Sequence, residues 1–431
     1  MFGRQGLEWK FTQVFGDKAL SDNANDEDII TAMTFSREGR FLAVGDAAGR
    51  VVLFEHNQVK KNAKVSSELT YTNEFQSHYK EFDCLKSVDI EQKINVIEFL
   101  PGEKSNQFLL TSNDKTIKLW KLGEGAVRKS ERFPKRSNWI RSALELPEMR
   151  TLDTGVSPLN KVIFPHLHGY NINSVSVCAD GERFLSGDDL KVNLWALERT
   201  DRAFTVRDIA PKGNGEINEV LTVSKFDPSN DSLFVSCTSR GLTAFCDLRA
   251  ASRITSPAIS FEDPILRGPK NFFSEFLASI SDFSFASNPN LFVTRSLLSV
   301  NVWDRRNPTV PMNSIPLYEP LKTKLCALYE KELIFDKFDV KVANDSSYLL
   351  TGMYGSSFHI CSLAGDSNNQ FELNFNRKTI FKTIRKQFVE QLPSSFDINK
   401  RVVRTALHPS LDFVVVASIN CLFAYNGISN V

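Results

Sequence analysis

The stretch FLSGDDLKVNLW, Phe184 to Trp195, decides the fold. A short apolar strand runs into a tight turn of Gly187, Asp188 and Asp189. Residues of alternating polarity then follow and close on a bulky Trp195. A period of two marks a strand with one face in a core. Gly and Asp tolerate positive φ or bond to their own backbone, as hairpin turns require. The same plan recurs in FLAVGDAAGRVVLF, FLLTSNDKTIKLW and FVSCTSRGLTAFC, closing on Phe54, Trp120 and Cys246. It recurs again in FVTRSLLSVNVW, LLTGMYGSSFHIC and VVVASINCLFAY, closing on Trp303, Cys361 and Tyr425.

One such hairpin cannot bury its apolar face alone. Seven stacked radially can, and closing the ring removes exposed sheet edges. The pattern therefore predicts an all-β chain forming one seven-bladed β-propeller over 1–431, rather than an open sandwich array or two β domains. No Pro/Gly/Ser-rich linker divides it. Successive closures lie 51 to 75 residues apart, above the roughly 40–45 of a minimal propeller repeat, so several blades carry insertions. Segment 57–80 is polar and is expected between repeat units. Segment 121–150 is predicted as a hairpin-arm insertion. Segment 364–402 is a further insertion in which Ile380, Phe381, Ile384, Phe388 and Leu392 have rough helical spacing.

Working outward, 431 residues can bury a substantial core without disulfides or metals. Lys+Arg number 52 and Asp+Glu 51, for a net charge of +1, which argues against a nucleic-acid binder relying on bulk positive charge. The seven Cys are scattered and form no CxxC, so neither a disulfide framework nor a zinc ribbon is expected. A reducing compartment fits best. The start of the chain, MFGRQGLEWKFTQVFGD, lacks the apolar core of a signal peptide. The apolar stretch Phe413–Tyr425 is interrupted by Ser418 and Asn420 and is too short to span a bilayer. The expected location is the cytoplasm, with the nucleus left open.

Catalytic signatures are scarce. There is no GxSxG, HExxH, P-loop or dinucleotide fingerprint. His166 and His168 form an H-x-H that could offer two metal ligands, but no carboxylate or Cys accompanies them, and a Pro-containing loop is the simpler account. Asp188-Asp189 could suggest acid–base work. Successive side chains diverge at a hairpin turn, however, so structural duty for at least one is expected. The basic stretch 128–141, with Phe133 and Trp139 interleaved, is read as a solvated hairpin or a protein-contact arm before a nucleic-acid surface. The acidic stretch Asp22 to Asp28 is either a solvated loop or a rim that attracts basic peptides. The chain is expected not to be an enzyme, and no cofactor, metal, nucleic acid or membrane partner is expected.

Several segments, in order, resemble the B-family WD-repeat regulatory subunits of protein phosphatase 2A. They include EFQSHYKEFDCLKSVDIEQKINVIEFLP (74–101) and NFFSEFLASISDFSFASNPNLFVTRSLLSVNVWD (271–304). HGYNINSVSV, LSGDDLKVNLWALERTDRAF, KLCALYEKELIFDKFD and SFDINKRVVRTALHP add to them. The resemblance spans essentially the whole chain. It implies a non-catalytic subunit that docks on a helical-repeat scaffold subunit and a metal-dependent Ser/Thr phosphatase subunit, and recruits phosphoprotein substrates through an acidic top face. A generic WD-repeat scaffold without a phosphatase partner is the alternative.

The same resemblance implies residue roles. Asp189 matches the central acidic substrate contact, and Asp26 stands at a rim glutamate. Tyr170, Ile217, Tyr329, Phe335 and Lys337 match further substrate contacts. Phe82, Asp83, Leu85 and Lys86 match a loop facing the catalytic side. Scaffold docking falls to the bottom face and the arm, here with Arg128, Arg132, Phe133 and Trp139. Three departures stand out: Ala47 where the family usually has lysine, Cys84 for a tyrosine, and Ser296 for an aspartate. The arm is also shorter and poorly matched. The change at Ala47 predicts a slightly more acidic top face and a stronger preference for basic peptides.

Overall fold

The computed structural model describes residues 7–16, 26–61, 64–84, 87–102, 107–132, 148–211, 215–269, 271–317, 319–364, 368–372, 385–386 and 397–429. Their strands form seven small antiparallel sheets, and the first strand of each sheet packs on the first strand of the next around a ring. This is the seven-bladed propeller. Blades 1 to 6 span 30–76, 96–164, 174–208, 221–262, 282–316 and 340–386, with four strands, a to d, counted outward from the channel. Blade 6 gains a fifth, Arg385–Lys386. Blade 7 takes three strands from 402–429 and its outermost strand from Leu7–Phe15 at the other end of the chain.

The seven hairpins legible in the sequence are strands b and c of the blades. Strand b is almost wholly buried, as in Phe41–Asp46, Leu291–Arg295 and Phe413–Ser418. A tryptophan that closes a hairpin also ties it. Trp120, Trp195 and Trp303 each donate their indole N–H to a hydroxyl nine residues back, on Thr111 (3.1 Å), Ser186 (2.7 Å) and Thr294 (3.0 Å). A buried indole N–H needs such a partner. The apolar run Phe413–Tyr425 is a strand pair of this kind.

Segment 57–80 differs from the expectation of a connecting segment. It is largely the hairpin of strands c and d in blade 1, Arg50–Lys61 with Lys64–Gln76, paired from Arg50↔Gln76 to Lys61↔Lys64. Its side chains face water on both sides of an outer strand, so its polarity resembles that of a loop. In 121–150 the chain pairs as a hairpin from Ile117↔Phe164 out to Arg132↔Glu148. The residues with helical spacing in 364–402 lie outside the described residues; between them Arg385–Lys386 pairs as strand with Phe371 and Gln370.

A circle of polar contacts joins the blades around the channel. Thr31 donates to the Ile94 carbonyl (2.5 Å), Asn95 to Ile172 (3.0 Å) and Asn173 to Leu221 (2.7 Å). Lys225 pairs with Asp282 (2.7 Å), and Ser281 donates to the Phe338 carbonyl (2.9 Å). Arg404 closes the circle, bonded to Asp339 (2.8 Å) on one side and to the Thr31 carbonyl (2.5 Å) on the other. Buried polar groups satisfied in this way specify a single register between blades.

Candidate functional site: the mouth of the channel

Antiparallel strands turn at alternate ends. All b–c turns and all d-to-a connections therefore share one end of the ring, and the a–b turns and c–d hairpins share the other. Asp26, Phe82, Asp83, Tyr170, Ile217, Tyr329, Phe335 and Lys337 all lie in d-to-a connections, and Asp189 lies in a b–c turn. They share the first end. The hairpin 117–164 is a c–d hairpin and leaves from the opposite one.

At the first end a cavity of about 720 Å³ opens over the channel, and Asp26, Asp189, Phe335 and Lys337 line it together. The Asp26–Asp28 turn is held by Arg50, which bonds Asp28 (2.6 Å) and Asp46 (2.7 Å). The Ala48 N–H donating to the Glu27 carbonyl (2.9 Å) fixes it against the b–c turn carrying Ala47.

The neighbouring aspartates of blade 3 divide their work. Asp188 is buried, accepts from the N–H groups of Leu190 (2.8 Å) and Lys191 (2.6 Å), and meets His168 Nδ1 at 3.0 Å. His168 Nε2 lies 2.6 Å from Ser186 Oγ, which also receives the Trp195 indole N–H. Burial opposes the charge of Asp188, but His168 and the two backbone donors outweigh it and lower its pKa. His168 thus belongs to a structural cluster, and His166 bonds Thr116 (2.9 Å). Asp189 turns the other way, half-buried, into the cavity. Burial raises its pKa, against the pull of Lys337 and of Asn173, whose amide lies 3.4 Å away. Lys337 is its counterpart, with burial lowering the amine and Asp189 opposing that shift.

The lining is less acidic than expected. Asp26, Asp114, Asp189 and Asp336 face Lys93, Lys337, Arg401 and Arg404. Two of these cations are committed, Arg401 to Asp336 (3.1 Å) and Arg404 to Asp339 (2.8 Å). Burial pushes the Asp336 carboxyl up to about 6 despite Arg401.

Beside the mouth lies an aromatic patch. Tyr329 and Phe335 are exposed and pack with Phe272, Phe273 and Phe276, at centroid distances of 5.5 Å for Phe272–Tyr329 and 5.7 Å for Phe276–Phe335. A second cavity of about 370 Å³ runs from Lys337 and Phe335 past Phe276 to Asn218, next to the exposed Ile217. Tyr170 is exposed and directly precedes the lining residues Asn171 and Ile172. Phe82 and Asp83 stand instead on a two-stranded hairpin, Glu81–Asp83 with Val88–Ile90, that does not line the cavity. Leu85, Lys86, Phe133 and Trp139 lie outside the described residues. For Arg128 and Arg132 only the strand position is described.

Among the described residues, Cys178, Asp180 and Asp231 offer donor atoms within 4.8 Å of one another at the arm end. Arg183 already fills that space, 2.7 Å from Asp180 and 3.8 Å from the Cys178 sulfur, and burial pushes the thiol up to about 11. The group is an arginine clamp rather than a metal centre. All seven cysteines are free thiols, with Cys84 and Cys326 exposed.

Sequence reasoning did not single out Asp114, Lys93, the Asp336–Arg401 pair or Phe276. The one available signal was that Asn113-Asp114 and Asp188-Asp189 hold the same place in their hairpins.

Residues 159–196 match the WD domain, G-beta repeat. The chain is 36% identical over 458 residues to a B-type regulatory subunit of protein phosphatase PP2A from the fission yeast Schizosaccharomyces pombe, covering 98% of each chain.

Proposed function

This chain belongs to the B family of WD-repeat regulatory subunits of protein phosphatase 2A, and from that premise we propose how it works. It docks on the scaffold and catalytic subunits and brings Ser/Thr-phosphorylated proteins to them through the mouth of its channel. It supplies no catalytic group. The substrate's phosphosite reaches the active centre of another chain at raised effective concentration, because a distal segment of the same substrate is held at the mouth.

The observation that carries this reading is that Asp26, Asp189, Phe335 and Lys337 line one cavity. The aromatic patch beside it offers apolar anchors, and the carboxylates select basic segments and fix their register. The opposite end carries the arm, so scaffold docking there leaves the mouth free. The free thiols support a reducing, cytoplasmic setting.

The test is a pull-down from native extract with the wild-type chain and with Asp189→Lys, identified by mass spectrometry. Both should retain the scaffold and catalytic subunits, and only the wild type should retain phosphoprotein substrates. Substrates retained equally by both would refute the assignment of the mouth. Loss of the phosphatase subunits from the wild type would favour a generic interaction scaffold.

A further inference from the structure

Seven-fold pseudo-symmetry lets each blade be compared with the others at the mouth. In blade 3 the turn opens with Asp188, whose Oδ1 accepts from the N–H groups two and three residues on. In blade 2 Asn113 does the same, accepting from Lys115 (3.1 Å) and Thr116 (2.7 Å). The turns also share the bond from the first residue's N–H to the fourth residue's carbonyl, Asn113 to Thr116 (3.1 Å) and Asp188 to Lys191 (2.9 Å). The next residue is therefore structurally equivalent in the two blades: Asp114 in one, Asp189 in the other.

The equivalence extends to the groups that hold them. Asn95 at the start of blade 2 donates from Nδ2 to Asp114 (2.7 Å) and to the Ile172 carbonyl of the next blade (3.0 Å). Asn173 at the start of blade 3 is placed alike, toward Asp189 (3.4 Å) and the Leu221 carbonyl (2.7 Å). Each carboxylate is thus braced by a neutral amide that is itself fixed to the neighbouring blade. Both carboxylates line the same cavity. At this place in the other blades stand Ala47, Ser239, Leu297, Gly355 and Ile419, none of them charged. Lys115, which follows Asp114, reaches away to the Gly169 carbonyl (2.9 Å).

We propose that Asp114 is a second specificity-determining residue of the mouth, and that the segment it selects carries two cationic side chains, one for Asp114 and one for Asp189. The inference rests on the reading of the mouth given above. Two braced carboxylates on adjacent blades reward a pair of cations of matched spacing. A single cation can use only one of them at a time.

The test measures binding of fluorescein-labelled alanine-based peptides to the full chain at low salt. One set carries two arginines separated by one to seven alanines, and a control carries one. At the matching spacing the two-arginine peptide should bind about tenfold more tightly than the control, as expected for one added charge-assisted contact. Asp114→Asn and Asp189→Asn should each return its affinity to that of the control. Asparagine is nearly isosteric and still accepts from Asn95 or Asn173, and an unchanged thermal midpoint verifies the fold. If Asp114→Asn leaves tight binding intact while Asp189→Asn abolishes it, Asp189 acts alone and the inference fails, though the mouth stands. No gain from a second arginine at any spacing also overturns it. If neither substitution weakens any basic peptide, the reading of the mouth itself fails.

Discussion

Asp188 and Asp189 are adjacent in sequence and opposite in consequence. Asp188→Ala strips acceptors from two backbone N–H groups and from His168 in a buried cluster. It should cost about 2–4 kcal/mol in urea unfolding, the range for breaking a buried polar network. Asp189→Asn should cost no stability and add a little. The raised carboxyl pKa means that the charge opposes folding at neutral pH, and this cost lapses only as pH falls through the folded-state pKa. A loss of stability from Asp189→Asn as large as that from Asp188→Ala would contradict this division. The sequence marked the pair as a turn and expected structural duty for one member. Which member turned inward was not legible, because that depends on His168, brought up from a separate connection. Asp189 entered as a substrate contact through resemblance alone, and Asp114 needed the comparison of blades.

A second residue-scale consequence concerns pH. His408 Nε2 donates to the Gly39 carbonyl (3.1 Å), while Nδ1 accepts from the N–H groups of Ser410 and Leu411. A proton on Nδ1 would face two donors, and burial together with His56 lowers the pKa to about 4. The folded-state pKa lies below the unfolded value of about 6.5, so between these values the unfolded chain binds more protons. The contribution is complete above pH 6.5 and is lost as pH falls toward 4. Asp263, pushed up to about 6 by burial, works in the opposite direction over an overlapping window. The clean observable is therefore a difference: His408→Gln should reduce the slope of stability against pH between 6.5 and 4 by up to one proton. An unchanged slope would contradict the assignment.

At the scale of elements, strands b and c announced themselves because both are buried and joined by a tight turn. Strands a and d did not. Ile259–Glu262 and Asn313–Pro316 are short and bury only one residue each, too little for a periodic signal. The closing strand was hidden by distance. Leu7–Phe15 completes a blade whose other strands lie some 400 residues on, as in the bond from Thr12 to the Ala424 carbonyl across 412 positions. Its anchor is Trp9, buried and edge-on to Tyr348 at 5.4 Å. Trp9→Ala should cost about 3–5 kcal/mol, and removal of residues 1–16 should abolish cooperative unfolding by exposing the outer edge of blade 7. Retention of wild-type stability by the shortened chain would show that the ring closes without this strand.

At the scale of the whole molecule, the circle of contacts from Thr31 through Asn95, Asn173, Ser281 and Arg404 makes the ring a rigid platform. Its mouth and arm point in opposite directions by topology. The family membership supplies the phosphatase, and the geometry supplies the division between docking end and recruiting end. The most direct measurement is the dephosphorylation kinetics of the reconstituted heterotrimer. The substrate is a phosphoprotein with a distal basic segment, compared with a short phosphopeptide lacking it, for wild type and Asp189→Lys. The account predicts that Asp189→Lys raises KM about tenfold or more for the tethered substrate and leaves kcat, and all rates on the short peptide, unchanged. Equal KM values for the tethered substrate in the two heterotrimers would contradict it.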